Sequence, residues 1–309
     1  MSAWDYPTIT EIARDTGENP LVDVVVGPKA GTIFGAMPMK EIEGLAESVS
    51  QITSYPGVTW RRFGEGLLGT KGGERDIYFH AALLSTLSEA DALKAEKSKL
   101  GLKGYRAKEL KKHLKAMGKE ASYGLFYNQV SSKSVNGIFR LVDSSYATYV
   151  DCGSGSETYS IYGLRFGDDA FYGFYSTFAD GKMFSVHPYD RRLKNIDPGS
   201  TDKELAVYQT EVNLMIGVAY AHPNCVGRIT NMDGSNPLTL AKVYELYDAM
   251  DGKPDLFVMN YNGLKEFAQW KEAFVKMSPG ETGLNFDVQS FDGVPLLVDT
   301  NLISTESGL

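Results

Sequence analysis

The sequence predicts an α+β fold in which strands outnumber helices. Its 32 glycines, 18 tyrosines and 15 phenylalanines suit strands joined by tight turns better than a helical bundle. Short β-prone runs fill residues 150–190 and 205–233. Residues 104–127, in contrast, repeat apolar side chains at the three-and-four spacing of an amphipathic helix. Of the 309 residues, 43% are hydrophobic, which is enough for a sizeable core.

The bulk properties exclude several classes of protein. A formal charge of −8 does not fit a free nucleic-acid binder. No apolar run reaches the roughly 18–20 residues of a membrane span, and the N-terminus has no basic start, so we expect synthesis in the cytosol and no membrane partner. Cys152 and Cys225 stand apart without histidine neighbours, which predicts buried inert thiols rather than a zinc site.

Residues 1–35 are predicted to form an extended arm, because Pro7, Pro20 and Pro28 interrupt any helix. The one strongly apolar run there, Leu21–Val26, resembles a lone strand. Such a strand must pair or pack, either on a neighbouring subunit or on its own, and both remain open.

Residues 48–80 are predicted to form a long β-hairpin. The β-prone runs Val58–Phe63 and Arg75–His80 flank a glycine-rich tip, Gly64–Gly73. The hairpin carries too little apolar surface to fold alone, so we expect it to rest on another surface.

Residues 104–127 give the clearest helix. The expected apolar stripe is Ala107, Leu110, Leu114, Met117, Ala121 and Leu125. Five lysines fall on the other side: Lys108, Lys111, Lys112, Lys115 and Lys119. An ordinary solvated face is one reading, but only Glu109 and Glu120 balance these charges, which is unusual in an acidic chain.

Further elements follow toward the C-terminus. A second amphipathic helix is expected over Leu238–Met250, and Asp255–Asn260 has a buried-strand pattern. A third helix is expected over Gly263–Lys276. Asp292-Gly293 predicts a turn before the final strand.

We find no pattern that predicts a catalytic, cofactor-binding or metal-binding residue. Gly64–Gly69 matches the dinucleotide-binding glycine spacing, but another strand rather than a helix follows it. The four histidines lack metal-site spacing, and the serines near Cys152 do not form a nucleophile elbow. The adjacent acids Asp168-Asp169 fit a solvated loop.

Segments in order along nearly the whole chain resemble the major capsid proteins of tailed bacteriophages, of the Hong Kong 97-type fold. They are Tyr105-Arg106 with the following helix and its exit at Gly124–Asn128, then Asn136–Phe139, Ser160–Gly167, Gly227–Asp233 and Phe291–Pro295. Three residues depart from the family's pattern: Val135 replaces a phenylalanine, Thr230 an alanine and Met232 an isoleucine.

The resemblance implies an architecture of four parts. They are an N-terminal arm (1–35), an extended loop hairpin (48–80), a P-domain (36–47, 81–150 and 284–309) with a spine helix at about 104–127 and the final strand, and an A-domain (151–283) that points its loops at the capsomer axis. No protease-like or coiled-coil segment precedes residue 35, so we expect scaffolding from a separate chain.

The resemblance also implies a function. The chain would be a structural protein, not an enzyme, that self-assembles into hexamers and pentamers of an icosahedral virion capsid in the bacterial cytoplasm. Expected partners are copies of itself, a scaffolding protein, a portal protein and nonspecifically contacted double-stranded DNA. The extended loop would place Trp60, Arg61, Arg62, Lys71, Glu74 and Arg75 between subunits, and the five lysines would face inward toward scaffold or DNA.

Two alternatives remain open. One is an encapsulin-like, non-viral shell that encloses an enzyme cargo. The other is an enzyme with a dispersed site that no motif betrays.

Overall fold

The computed structural model describes residues 32–128, 134–135, 137–142, 148–153, 155, 157–167, 169–179, 181–195, 204–270, 275–279 and 286–306. The strands are β1 (Met39–Ile42), β2 (Ala46–Ser54), β3 (Gly73–His80), β4 (Ala82–Asp91), β5 (Tyr149–Asp151), β6 (Tyr159–Leu164), β7 (Phe171–Ser176), β8 (Phe184–Asn195), β9 (Glu204–Tyr220), β10 (Val226–Met232), β11 (Leu256–Met259), β12 (Val275–Pro279), β13 (Phe286–Phe291) and β14 (Val294–Val298). The helices are α1 (Ala92–Lys97), α2 (Gly101–Tyr127), α3 (Ile138–Leu141), α4 (Leu240–Ala249) and α5 (Tyr261–Ala268). The predicted α+β class is confirmed.

The long strand β9 organises a five-stranded sheet of order β1-β7-β9-β4, in which β8 also pairs with β9. Antiparallel pairing with β4 covers residues 207–216 of β9, while β8 and then β7 pair along its other edge. Side chains alternate across such a sheet, so one face of β4 and β9 packs under α2 and the other faces away from it.

Helix α2 lies on this sheet as the sequence predicted. Leu114, Met117 and Leu125 are buried in the core that α2 shares with Leu214 and Val212 of β9. The expected stripe was wrong at its N-terminal end, where Ala107 is exposed. Helix α2 has no side-chain N-cap and no acidic residue in its first turn, so packing rather than capping stabilises it.

The second sheet has seven strands in the order β12-β13-β14-β11-β6-β10-β5. Strand β6, which lies between β11 and β10, is buried along its whole length. At its crossing with α4 the sheet needs a glycine, because a Cβ on Gly227 would meet Leu246 Cδ1 and Met250 Sδ at 2.6 Å. The absence of a side chain therefore lets α4 pack directly on the strand.

Two predictions near the C-terminus had different outcomes. The Asp292-Gly293 turn is confirmed, with φ of 48° and 87°, the left-handed values that a type I′ hairpin turn requires. The third helix was wrong in extent, because it runs from Tyr261 to Ala268. Residues 275–279 instead pair with β13, and this non-local strand pairing overrides local helix propensity.

The hairpin prediction was half right. Strands β2 and β3 pair antiparallel, from Ala46↔His80 to Ser54↔Gly73. The predicted strand Val58–Phe63 was wrong, since residues 55–72 contain no strand. These residues find no pairing strand among the described residues, and β propensity alone does not hold a strand.

Strand pairing crosses the expected domain division. Strands β7 and β9 were grouped with the A-domain, yet β7 pairs with β1 and β9 pairs with β4. The final strand β14 was grouped with the P-domain, yet it pairs in parallel with β11. The domain boundaries themselves stay a prediction. The arm strand Leu21–Val26 lies outside the described residues.

Candidate assembly surfaces

The β2–β3 hairpin is rooted on its own subunit. Val49 and Phe79 are buried against Tyr172 and Phe174 of β7. The Phe79 ring meets the Tyr220 ring edge-on, with centroids 5.0 Å apart. The five-stranded sheet is thus one surface on which the hairpin rests, as expected from the sequence. These contacts reach only the base of the hairpin.

The outer part of the hairpin, residues 53–72, is exposed at every position. We call residues 55–72 the hairpin tip. Its large apolar side chains stand free of the subunit: Tyr55 is 77% exposed, Val58 94%, Trp60 100%, Phe63 110%, Leu67 65% and Leu68 86%. The three aromatic rings alone offer about 450–750 Å², at about 150–250 Å² each. The largest apolar patch of a typical monomer is about 300–600 Å².

All six predicted inter-subunit residues lie on this hairpin. Trp60, Arg61, Arg62 and Lys71 are exposed in the tip, and Glu74 and Arg75 are exposed at the start of β3. The Arg61 guanidinium donates to the Glu65 carbonyl at 2.8 Å, and the Arg62 amide donates to the Glu65 carboxylate at 2.8 Å. No helix follows Gly64–Gly69 in the structure, so these glycines do not form a dinucleotide-binding turn. The interface role of the six residues stays a prediction.

Sequence reasoning singled out Trp60 but missed Tyr55, Val58, Phe63 and the two leucines as interface candidates. The signal was present in the sequence, since large apolar residues are unusual in a glycine-rich turn. For Val58 and Phe63, assignment to a strand hid this signal, because strand residues are expected to be covered.

The five predicted inward-facing lysines are all exposed on α2, and we call them the lysine stripe. Lys112 forms an ion pair with Glu109 at 2.8 Å. Lys108/Lys112, Lys111/Lys115 and Lys115/Lys119 are like-charge neighbours at i,i+4, and each such pair disfavours a helix by about 0.2–0.5 kcal/mol. The inward orientation of the lysine stripe toward scaffold or DNA stays a prediction.

Arg106 fixes the N-terminal half of α2 to the sheet. Its guanidinium donates to the Gln209 carbonyl and to the Thr210 hydroxyl of β9, both at 2.9 Å. It also lies 5.4 Å from the centre of the Tyr208 ring. This contact orients the helix so that the lysine stripe points away from the sheet.

A strap of residues 299–306 ties α2 to the seven-stranded sheet. At its start, the buried Asp299 carboxylate accepts hydrogen bonds from the Ser122 hydroxyl of α2 and the Ile33 amide. Burial raises the pKa of Asp299. At its end, the Glu306 amide donates to the Thr158 carbonyl at 2.9 Å.

Glu306 closes a buried polar cluster with Arg228. The Arg228 guanidinium is 3.3 Å from the Glu306 carboxylate, and both side chains are almost fully buried. Ser160 and Tyr127 also donate to the Glu306 carboxylate, Tyr127 at 2.7 Å. The Phe139 ring covers the Arg228 guanidinium at 3.8 Å. Arg228 and Glu306 therefore form a structural pair, and Glu306 was missed because no local pattern marks it.

Among the described residues, neither a reactive thiol nor a group of metal ligands is found. Burial raises the pKa of Cys152 to about 11 and raises that of Cys225, so both stay protonated thiols at neutral pH. Within the described ranges no three His, Cys, Asp or Glu side chains group as metal ligands, and no helix there is long and apolar enough to cross a membrane.

Comparisons with known proteins agree with this geometry. The family model of major capsid protein GP7 matches residues 29–255. The capsid structure of bacteriophage Epsilon15 is similar with a TM-score of 0.61 and 18% identity over 86% of both chains. The bacteriophage JBD30 capsid gives 0.49 and 13% over 85% of this chain and 88% of that one. The SrpI encapsulin of Synechococcus elongatus PCC 7942 gives 0.45 and 11% over 66% and 88%. No curated protein sequence matches.

The family model spans well over half of the chain, and it includes both strands β6 and β10 that carried the resemblance. The Epsilon15 similarity shows the fold. The family is one of structural capsid proteins. The chain therefore belongs to the major capsid protein GP7 family and is a tailed-phage major capsid protein with the Hong Kong 97-type fold.

Proposed function

We propose that copies of this chain assemble into the hexamers and pentamers of an icosahedral phage head that encloses double-stranded DNA. The hairpin tip is the observation that carries the proposal, because it exposes six large apolar side chains that its own subunit does not cover. In a capsid, a neighbouring subunit would bury these side chains. Repeated head-to-tail contacts of this kind close into rings.

The size of the apolar surface supports a shell contact. Burial of about 600 Å² at about 25 cal/mol per Å² gives about 15 kcal/mol before the costs of association. Association and side-chain ordering consume much of this gain. Each tip contact is thus modest by itself, and many contacts per subunit make the shell stable.

The remaining parts of the function rest on the family resemblance. The arm (1–35) and the extended loop (48–80) reach neighbouring subunits, and the A-domain (151–283) surrounds the capsomer axis. Assembly takes place in the bacterial cytoplasm with a separate scaffolding protein and a portal protein. The lysine stripe faces the interior. Closed shells of uniform size from this chain alone would contradict the separate scaffold.

The experiment compares two double variants, each of which replaces two large exposed side chains by serine. Trp60→Ser/Phe63→Ser changes the hairpin tip, and Leu93→Ser/Tyr261→Ser changes two exposed residues on α1 and α5, each 62% exposed. Each chain is co-expressed with its scaffolding protein and viewed by negative-stain microscopy. Circular dichroism checks that the subunits fold.

We expect closed shells from the wild type and the control, and folded, unassembled subunits from the tip variant. Truncating an anchor at the centre of an interface costs about 2–4 kcal/mol per contact, and every subunit repeats that loss. Normal shells from the tip variant would show that the tip does not hold subunits together. Dispersed monomers from the wild type under all conditions would overturn the capsid assembly itself.

A further inference from the structure

The lysine stripe is a narrow, dense band of positive charge. At 100° per residue its five lysines fall within an arc of about 100°, and they extend over about 16 Å of helix. Lys112 is paired with Glu109. Among the described residues, no carboxylate lies within ion-pair distance of Lys108, Lys111, Lys115 or Lys119. Four cations on one face of an acidic chain thus have no carboxylate partner in the part of the chain that the structure describes.

The stripe also lacks the large apolar side chains that anchor a protein partner. Apart from the lysines, its arc over residues 101–120 holds only Gly101 and Gly104. No exposed large hydrophobic residue lies between residues 101 and 127. The centres of protein interfaces are enriched in aromatic residues and depleted in lysine, so a helix of an acidic protein would find no anchor here.

Binding of a phosphate backbone requires only positive charges such as lysine ammonium groups. Duplex DNA carries one negative charge per ~1.7 Å of its axis when both strands are counted. A length of duplex equal to the ~16 Å stripe therefore carries about nine or ten phosphate charges. Lysine contacts to phosphates fix position and carry no sequence information. Glycines beside the lysines leave a low surface over which a wide, rigid duplex can approach.

We propose that the lysine stripe of α2 binds the phosphates of the enclosed double-stranded DNA. The inference rests on the proposed function, because it takes the shell interior as the place of contact. It names DNA rather than scaffold as the partner of the stripe. The contact is independent of DNA sequence and weakens steeply with salt.

The test uses the full-length, unassembled chain and a 30-base-pair duplex of arbitrary sequence. The stripe variant is Lys111→Ala/Lys115→Ala/Lys119→Ala, which suits a helix because alanine favours it. The control is Lys94→Ala/Lys99→Ala/Lys265→Ala, which removes three exposed lysines elsewhere. Both triples change the formal charge from −8 to −11, so overall repulsion is matched. Fluorescence anisotropy gives the affinity between 50 and 200 mM salt.

Counterion release sets the expected result. Four unpaired lysines give a slope of log affinity against log salt of about −3.6, which is a loss of about 150-fold from 50 to 200 mM. The stripe variant keeps only Lys108 of these four, so its loss falls to about 3.5-fold and its affinity at 50 mM is lower. The control keeps the wild-type slope.

Equal slopes in the wild type and the stripe variant would overturn the proposal, as would no measurable binding by the wild type at 50 mM salt. A stripe variant that binds DNA normally but no longer binds purified scaffolding protein would identify scaffold as the partner instead. Shell formation is scored separately by microscopy. Normal shells with unchanged DNA binding refute the stripe's role alone, whereas a wild type without shells refutes the proposed function.

Discussion

Replacement of Glu306 by glutamine tests whether the 299–306 strap holds the two sheets of this capsid protein together. Glutamine keeps the shape of the side chain and removes its charge. The Glu306 carboxylate is the one ion-pair partner of Arg228 among the described residues, and Arg228 is 5% exposed. The variant therefore leaves a buried cation that its remaining hydrogen-bond acceptors neutralise poorly.

The loss follows from the burial of the pair. Breaking a buried ion pair by removing one partner costs about 3–5 kcal/mol, because the remaining charge is buried without compensation. An exposed pair contributes only about 0–1 kcal/mol. Glu245→Gln supplies that comparison, since Glu245 pairs with Lys242 on the surface of α4 at 2.9 Å with its side chain 54% exposed.

The assay is urea unfolding of the unassembled subunit, monitored by circular dichroism. With a slope of about 3 kcal/mol per molar urea, Glu306→Gln lowers the midpoint by about 1–1.7 M. Glu245→Gln shifts it by less than about 0.3 M. A shift no larger for Glu306→Gln than for Glu245→Gln would refute the reasoning. The double variant Arg228→Met/Glu306→Leu should recover only part of the loss, because no charge stays buried but the hydroxyls of Tyr127, Ser160 and Thr230 lose their partners in the pair.

Two further predictions concern one tyrosine and one glycine. Burial and the nearby Glu306 raise the pKa of Tyr127 far above 10.0, so its stabilisation is present below pH 10 and is lost as the pH rises beyond it. Tyr127→Phe should remove about 1.4 kcal/mol per pH unit from the alkaline slope of unfolding free energy, and an unchanged slope would contradict the buried contact between Tyr127 and Glu306. Gly227→Ala should cost about 1–3 kcal/mol in urea unfolding through its clash with α4, whereas Gly234→Ala, with nothing within 4 Å, costs less than about 0.5 kcal/mol. Equal costs of the two glycine variants would contradict the close approach of α4 to Gly227.

Local chemistry explains which parts of this fold the sequence could predict. Helix α2 and the Asp292-Gly293 turn were predictable because periodicity and left-handed backbone preference act within a few residues. Strand pairing was not, since β12 and the sheet membership of β7–β9 depend on partners distant in sequence. The hairpin tip was placed correctly, but its lack of strand structure depends on the absence of a partner.

The lysine stripe could be predicted from the sequence, whereas the strap could not. The lysine stripe follows from helical periodicity alone, and its exposure agrees with that prediction. The strap had no such signal, because Glu306 is a single acid 78 residues from Arg228 along the chain. Only the folded structure brings them together.

Two of the segments that carried the family resemblance, Ser160–Gly167 and Gly227–Asp233, lie on the adjacent antiparallel strands β6 and β10. One of the departures from the family's pattern, Thr230, lies on β10. Arg228 pairs in register with Tyr162, so Ser160, Tyr162 and Thr230 all lie around the Arg228–Glu306 pair. Thr230 replaces the family's alanine, and its hydroxyl accepts a hydrogen bond from Arg228 at 3.0 Å. The segments therefore encode a buried polar cluster rather than a ligand site.

Restoration of the family's residue should consequently destabilise this chain. Thr230→Ala removes an acceptor from a buried guanidinium and should cost about 1–3 kcal/mol in urea unfolding. The second departure gives the matched control, because Met232 is fully buried among apolar side chains and Met232→Ile nearly conserves volume, with a cost below about 1.5 kcal/mol. If Thr230→Ala cost no more than Met232→Ile, the hydroxyl would not stabilise Arg228.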